Sequence, residues 1–149
     1  LEKRLKCGKN IISEYDKKIP SDLTVEQILI RSGNIGSVRI GQKLEIDKLK
    51  LFLEKIGVLS KIDFDIEEVG EPIPFRWGKC KLATVSFGHG ITTTPLQLAK
   101  GYAIITNGGF EIKPSLIKKN LRDNQNQKRI IKKGVSKKIN KILRKIVTI

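Results

Sequence analysis

Residues 84–109 read Thr-Val-Ser-Phe-Gly-His-Gly-Ile-Thr-Thr-Thr-Pro-Leu-Gln-Leu-Ala-Lys-Gly-Tyr-Ala-Ile-Ile-Thr-Asn-Gly-Gly. Gly88 and Gly90 mark a turn, and the residues after them carry the signals of a helix start. Thr94 has a short hydroxyl side chain suited to capping the first free N–H groups of a helix. Pro95 suits the first helical position, where no N–H is required, and Gln97 stands three residues after the cap, where its amide can reach back. Asn107-Gly108-Gly109 then stops the helix. A glycine turn, a capped helix and an abrupt stop follow one another without spare residues.

Read in order, the same residues closely resemble the F-G-x-G-I-x-x-T-P-L-Q-L-A-x-x-Y-A-x-x-x-N-G-G block of class B penicillin-binding proteins, in their transpeptidase domain. Those enzymes cross-link bacterial peptidoglycan. The block identifies a family but contains no catalytic group. Some fifty residues upstream, Leu23-Thr24-Val25-Glu26-Gln27-Ile28-Leu29 precedes Arg31-Ser32-Gly33-Asn34-Ile35-Gly36. In isolation Ser-Gly-Asn is a turn former. The family places a Ser-x-Asn motif after such a helix, so the resemblance puts Ser32 and Asn34 on its two functional positions. Gly33 departs from the second serine that is common between them, at the position the family leaves variable.

Penicillin-recognising enzymes use three motifs, Ser-x-x-Lys, Ser-x-Asn and Lys-Thr/Ser-Gly. Ser115-Leu116-Ile117-Lys118 has the spelling of the first, but it follows Ser-x-Asn, whereas the family places the nucleophile before it; we read this match as accidental. Lys-Thr-Gly and Lys-Ser-Gly do not occur in the sequence. The chain opens on Leu1 and contains no methionine. It therefore reads as an internal piece of a transpeptidase domain, and we expect it to be inactive by itself.

The resemblance implies a fold that is mainly α here: the helical lobe of the α+β transpeptidase fold shared with serine β-lactamases, with little of its sheet. Residues 1–149 are counted as one structural unit. It further implies serine acyl transfer on peptidoglycan stem peptides and trapping by β-lactam antibiotics. It implies a periplasmic location with a membrane anchor outside this sequence, and division or elongation proteins as partners. Neither a cofactor nor a metal is implied.

Local patterns supply the remaining elements. A helix is expected from Asn34 to about Leu44. Asp47 opens another, with Leu49, Phe52, Leu53 and Ile56 on one face and Gly57 at its end. Residues 58–83 read as irregular. Their acids (Asp63, Asp65, Glu67, Glu68, Glu71) lack the ligand order of a calcium loop, and Trp77 reads as an anchor. Glu111–Lys118 reads as extended and 120–127 as mobile. Ser136 is expected to cap a last helix with Ile139, Ile142, Leu143 and Ile146 on one face. His89 is the only imidazole; the family often has Gln there, so its role is read as structural. Cys7 and Cys80 are too few, even with one His, for a zinc site. Nothing in the sequence pairs them, and two buried thiols are the reading taken.

The formal net charge is +15, with 30 Lys and Arg against 15 Asp and Glu. From Lys113 onward Asp123 is the one acid among thirteen bases. Such a segment would suit nucleic acid or an anionic surface, and a basic binding module without catalysis is the alternative reading. No aromatic residue is interleaved after Phe110 to stack on bases, so no specific nucleic acid is expected and a solvated basic face is preferred.

Overall fold

The computed structural model describes residues 4–66, 70–118 and 127–148. Strands β1 (Arg4–Cys7) and β2 (Asn10–Ser13) form an antiparallel hairpin, with Arg4 opposite Ser13 and Cys7 opposite Asn10. Helices α1 (Val25–Ile30), α2 (Asn34–Lys55), α3 (Lys79–Val85), α4 (Pro95–Thr106) and α5 (Lys133–Val147) follow. Among the described residues the hairpin is the one sheet, so the chain is mainly helical, as expected. No described helix is long and apolar enough to cross a membrane.

By its contacts the chain groups into two compact units, where the sequence reading counted one. The first takes Leu1–Lys50, Pro74–Ile91 and Ile142–Ile149; the second takes Leu51–Ile73 and Thr92–Lys141.

In the first unit the core joins Ile12 of β2, Ile35 and Val38 of α2 and Ala83 of α3, with Leu5, Cys7 and Phe87 packed against them. The cysteines are corrected here. Cys7 and Cys80 form a disulfide, their Cα atoms 5.3 Å apart across 73 residues of sequence. The hairpin brings Cys7 beside the first turn of α3, a proximity that spacing alone does not carry. Closing a loop of that size removes about 4 kcal/mol of chain entropy from the unfolded state. Helix α3 is a second correction, since 58–83 was expected to be irregular. It starts at Gly78 without any side-chain cap, so the usual start signal is absent. Before it, Phe75 and Trp77 meet with ring centroids 5.0 Å apart. The Lys81 ammonium lies 4.4 Å from the centre of the Phe75 ring and donates to the Gly90 carbonyl at 2.7 Å.

Helix α2 holds both of the helices expected after Ser-Gly-Asn, since Glu45 (φ 66°) interrupts the helical backbone one residue beyond Leu44.

In the second unit α4 carries the predicted capping box. The Gln97 N–H donates to Thr94 Oγ1 at 3.2 Å, and the Thr94 N–H donates back to Gln97 Oε1 at 2.7 Å. Gln97 is fully buried, and its Nε2 donates to the Ser60 carbonyl at 2.6 Å. Ser136 is not a cap: α5 begins three residues earlier, at Lys133. The buried Ser136 hydroxyl donates to the Ile105 carbonyl at 2.6 Å and accepts from the Gly108 N–H at 3.1 Å. It therefore satisfies the open end of α4 from a neighbouring helix. The residues 120–126 expected to be mobile, with Glu67 and Glu68, lie outside the described residues.

Candidate active site

The two residues singled out by the sequence sit where α1 ends and α2 begins. Helix α1 opens with a capping box of its own: the Gln27 N–H donates to Thr24 Oγ1 at 3.2 Å, and the Thr24 N–H to Gln27 Oε1 at 2.9 Å. It closes with two reversed hydrogen bonds, from the Ser32 N–H to the Leu29 carbonyl at 3.2 Å and from the Gly33 N–H to the Ile28 carbonyl at 2.9 Å. That pair defines a Schellman end, which needs a left-handed residue between its two bonds. Ser32 is that residue, with φ at 52°. Glycine takes this conformation without strain, whereas a residue with a Cβ is held there at a cost of about 1–3 kcal/mol. The Ser32 side chain is exposed, and its hydroxyl makes no hydrogen bond to a described residue.

Asn34, the first residue of α2, is held by the end of β2. The Glu14 carboxylate accepts from two backbone N–H groups at once, Asn34 to Oε2 at 2.7 Å and Ile35 to Oε1 at 2.9 Å. These are N–H groups that a helix start leaves without partners, and the carboxylate also complements the positive end of the helix dipole. Next to it, the Ser13 carbonyl accepts from Asn34 Nδ2 at 3.0 Å. A carbonyl can only accept, so the amide end facing Ser13 is the NH₂ group, and Oδ1 is the acceptor left over.

The junction is packed tightly from behind. A Cβ placed on Gly36 would lie 2.6 Å from the Ile28 side chain, so only glycine lets α2 start this close to α1. Ile35 and Val38 then face the core, and Ser37 Oγ donates to the Gly33 carbonyl at 2.8 Å. The motif thus has Ser32 and Gly33 closing one helix while Asn34 to Ser37 open the next.

Other candidates take ordinary structural places. Ser115 Oγ donates to Asp65 Oδ2 at 2.9 Å, and the Leu116 N–H donates to the same oxygen at 2.7 Å, so this hydroxyl holds a loop. His89 is exposed, and its ring stacks on Phe87 with centroids 6.0 Å apart. Lys113 pairs with Asp63. The hydrogen bond and the charge of Asp63 raise its pKa above the ordinary 10.5, slight desolvation opposes this, and Asp65 adds to it. Sequence reasoning missed Glu14 and Ser13. A glutamate after a short β-run has no local signature as the cap of a helix 20 residues away.

Residues 2–148 match the family described as the penicillin-binding protein transpeptidase domain. A probable peptidoglycan D,D-transpeptidase FtsI of Caulobacter vibrioides is 28% identical over 115 residues, covering 76% of this chain and 19% of that protein. A peptidoglycan D,D-transpeptidase FtsI homolog of Mesostigma viride is 31% identical over 133 residues, covering 85% of this chain and 20% of that protein. The chain therefore spans about one fifth of the length of these relatives. The apo transpeptidase domain of Burkholderia pseudomallei penicillin-binding protein 3 superposes over 98% of this chain and 44% of that one. Its TM-score is 0.85 at 20% identity, a likeness of fold.

Proposed function

The chain belongs to the penicillin-binding protein transpeptidase domain family, and on that premise we propose that the whole protein is a peptidoglycan D,D-transpeptidase in which Ser32 and Asn34 take part in the acyl transfer. The match over residues 2–148 carries this reading, because it encloses a Ser-x-Asn pair gathered at one helix junction.

A serine and a lysine base from outside this chain begin the reaction. The serine oxygen attacks the carbonyl between the two terminal D-alanines of a stem peptide, and its proton passes to the lysine. The C–N bond breaks, the amine of the last D-alanine leaves with a proton, and an acyl-enzyme remains. An amine on a neighbouring strand then attacks the ester, loses its proton and releases the serine. Two proton transfers to and from nitrogen need a hydroxyl that gives and accepts. The exposed Ser32 hydroxyl, free of competing bonds among the described residues, suits that relay between the lysine and the leaving amine. Asn34 Oδ1 suits an ammonium donor, and the second N–H of its amide suits a substrate carbonyl. A β-lactam would be trapped at the acyl stage. The expected setting is the periplasmic side of the inner membrane, in cell-wall synthesis during division or elongation, beside partners of those processes.

The test is covalent labelling of the whole protein by a fluorescent penicillin, with the acylated residue located by mass spectrometry. Label on a serine of a Ser-x-x-Lys motif outside residues 1–149 is expected. No label, or label at Ser115, would overturn the reading.

A further inference from the structure

The grip on Asn34 comes from a residue outside the motif. We propose that Glu14 is a positioning residue for the transfer reaction: by holding the start of α2 it fixes the Asn34 amide with its oxygen turned to the reacting groups. This rests on the transpeptidase reading of the same junction.

Three observations carry it. First, Glu14 uses both carboxylate oxygens, one on Asn34 N–H and one on Ile35 N–H. Two parallel bonds fix the angle at which the helix starts, whereas a single cap bond would leave it free to pivot. Second, the adjacent Ser13 carbonyl takes the Asn34 NH₂ group at 3.0 Å. The amide cannot flip without placing its oxygen against another carbonyl oxygen, so its acceptor end is committed. Third, the strand that ends in Ser13 and leads directly into Glu14 is itself fixed. Ile12 is buried in the core with Ile35, and β1 is joined to the start of α3 by the Cys7–Cys80 disulfide. A catalytic side chain whose rotamer is set by its supports is placed within the tolerance that proton transfer and charge stabilisation demand. Glu14 acts through Asn34 and touches no substrate.

A plain helix cap would lower stability when removed and leave the chemistry per folded molecule alone. The experiment therefore measures acylation by a fluorescent penicillin and melting temperature on the same whole-protein variants. Glu14→Ala is expected to slow acylation by about 10–100-fold, the usual effect of losing a residue that orients a functional group. The loss is expected in the acylation rate constant more than in binding of the antibiotic. Glu14→Gln keeps the volume and one acceptor oxygen, and an intermediate rate is expected; it also carries the test if the alanine variant does not fold. Asn34→Ala leaves its backbone N–H in place but removes the amide that Glu14 serves. Adding Glu14→Ala to it should therefore lower the melting temperature further without slowing acylation further. Wild-type acylation in Glu14→Gln, or a double variant slowed by the product of the two single effects, would overturn the inference. A wild-type protein that takes no label would instead overturn the transpeptidase reading beneath it.

Discussion

At Gly57 the chain leaves α2 by the same pair of reversed hydrogen bonds that closes α1 at Ser32. The Gly57 N–H donates to Glu54 and the Val58 N–H to Leu53, both at 3.0 Å. Gly57 has φ at 82°. Helix α3 ends likewise at Gly88, φ 83°, with the His89 N–H on the Thr84 carbonyl. In both places glycine fills the left-handed position, as conformational energy alone would dictate. At Ser32 the same loop carries a Cβ and a hydroxyl, and the strain is tolerated. Positions where a chain breaks a local rule without local benefit mark places shaped by something other than stability. On the proposed reading, the contrast is between a helix end that only has to stop and one that also presents the Ser32 hydroxyl.

The largest effect should come from making the two ends alike. Ser32→Gly in the whole protein removes the hydroxyl and the strain together. Acylation should slow by about 10²–10⁴-fold if the hydroxyl relays protons. Stability should hold or rise by up to about 1 kcal/mol. Stopped-flow acylation and thermal melting on one sample would read both, and wild-type acylation would reduce the contrast to turn geometry. A second effect sharpens the surroundings of the Ser32 end, which shares its unit with the disulfide. Replacing Cys7 and Cys80 together by alanine should cost about 2–5 kcal/mol in denaturant unfolding. An unchanged midpoint would mean that the hairpin is held without it.

The reciprocal change at the plain end should be smaller and purely structural. Gly57→Ala should cost about 1–2 kcal/mol, because a Cβ is forced into the left-handed region. The nearest atom to that Cβ is Lys100 Cδ at 3.2 Å, the flexible part of a side chain that can withdraw. Acylation per folded molecule should stay at the wild-type rate, and a selective loss of activity would break the comparison. The smallest effect belongs to the exposed Lys113–Asp63 pair in the Gly57 unit. A lysine whose pKa is raised on folding stabilises below its unfolded value of 10.5, and loses that contribution as pH climbs through the higher folded value. Asp63→Asn should therefore lower the melting temperature only slightly at neutral pH, where the pair's contribution is fully present but screened by solvent, and the difference from wild type should vanish as pH climbs past the raised folded value.

Helix α4 was legible because its start is written in adjacent residues: threonine, proline and glutamine each do their work within one turn. The first stretch of α2 and the break before Asp47 were legible for the same reason, and the Ser-Gly-Asn junction through family resemblance. Helix α3 was not, because its cap is a bare glycine and its seven residues are too few for periodicity to emerge. The disulfide joins residues 73 positions apart, the Ser136 bonds residues 31 and 28 apart, and the Glu14 bonds residues 20 and 21 apart. Such pairings depend on tertiary placement, and a pattern read along the chain does not contain them. Ser136 shows the cost: a serine near a helix start invites a local reading, while its hydroxyl is spent on Ile105 and Gly108 of another element.

That last bond bears on chemical ageing. Asn107 precedes Gly108, and an Asn-Gly pair degrades when the glycine nitrogen attacks the asparagine carbonyl carbon, forming a succinimide and expelling ammonia. Here the attacking nitrogen donates its proton to Ser136 Oγ, while the Asn107 side chain bonds to the N–H groups of Gly109 and Phe110. Both partners in the damaging reaction are held in other engagements for as long as the end of α4 stays folded. The serine thus acts as a preservative, and isoaspartate should accumulate at Asn107 faster in Ser136→Ala than in wild type on prolonged incubation at neutral pH. Equal rates in the two proteins would show that the glycine backbone alone protects the bond.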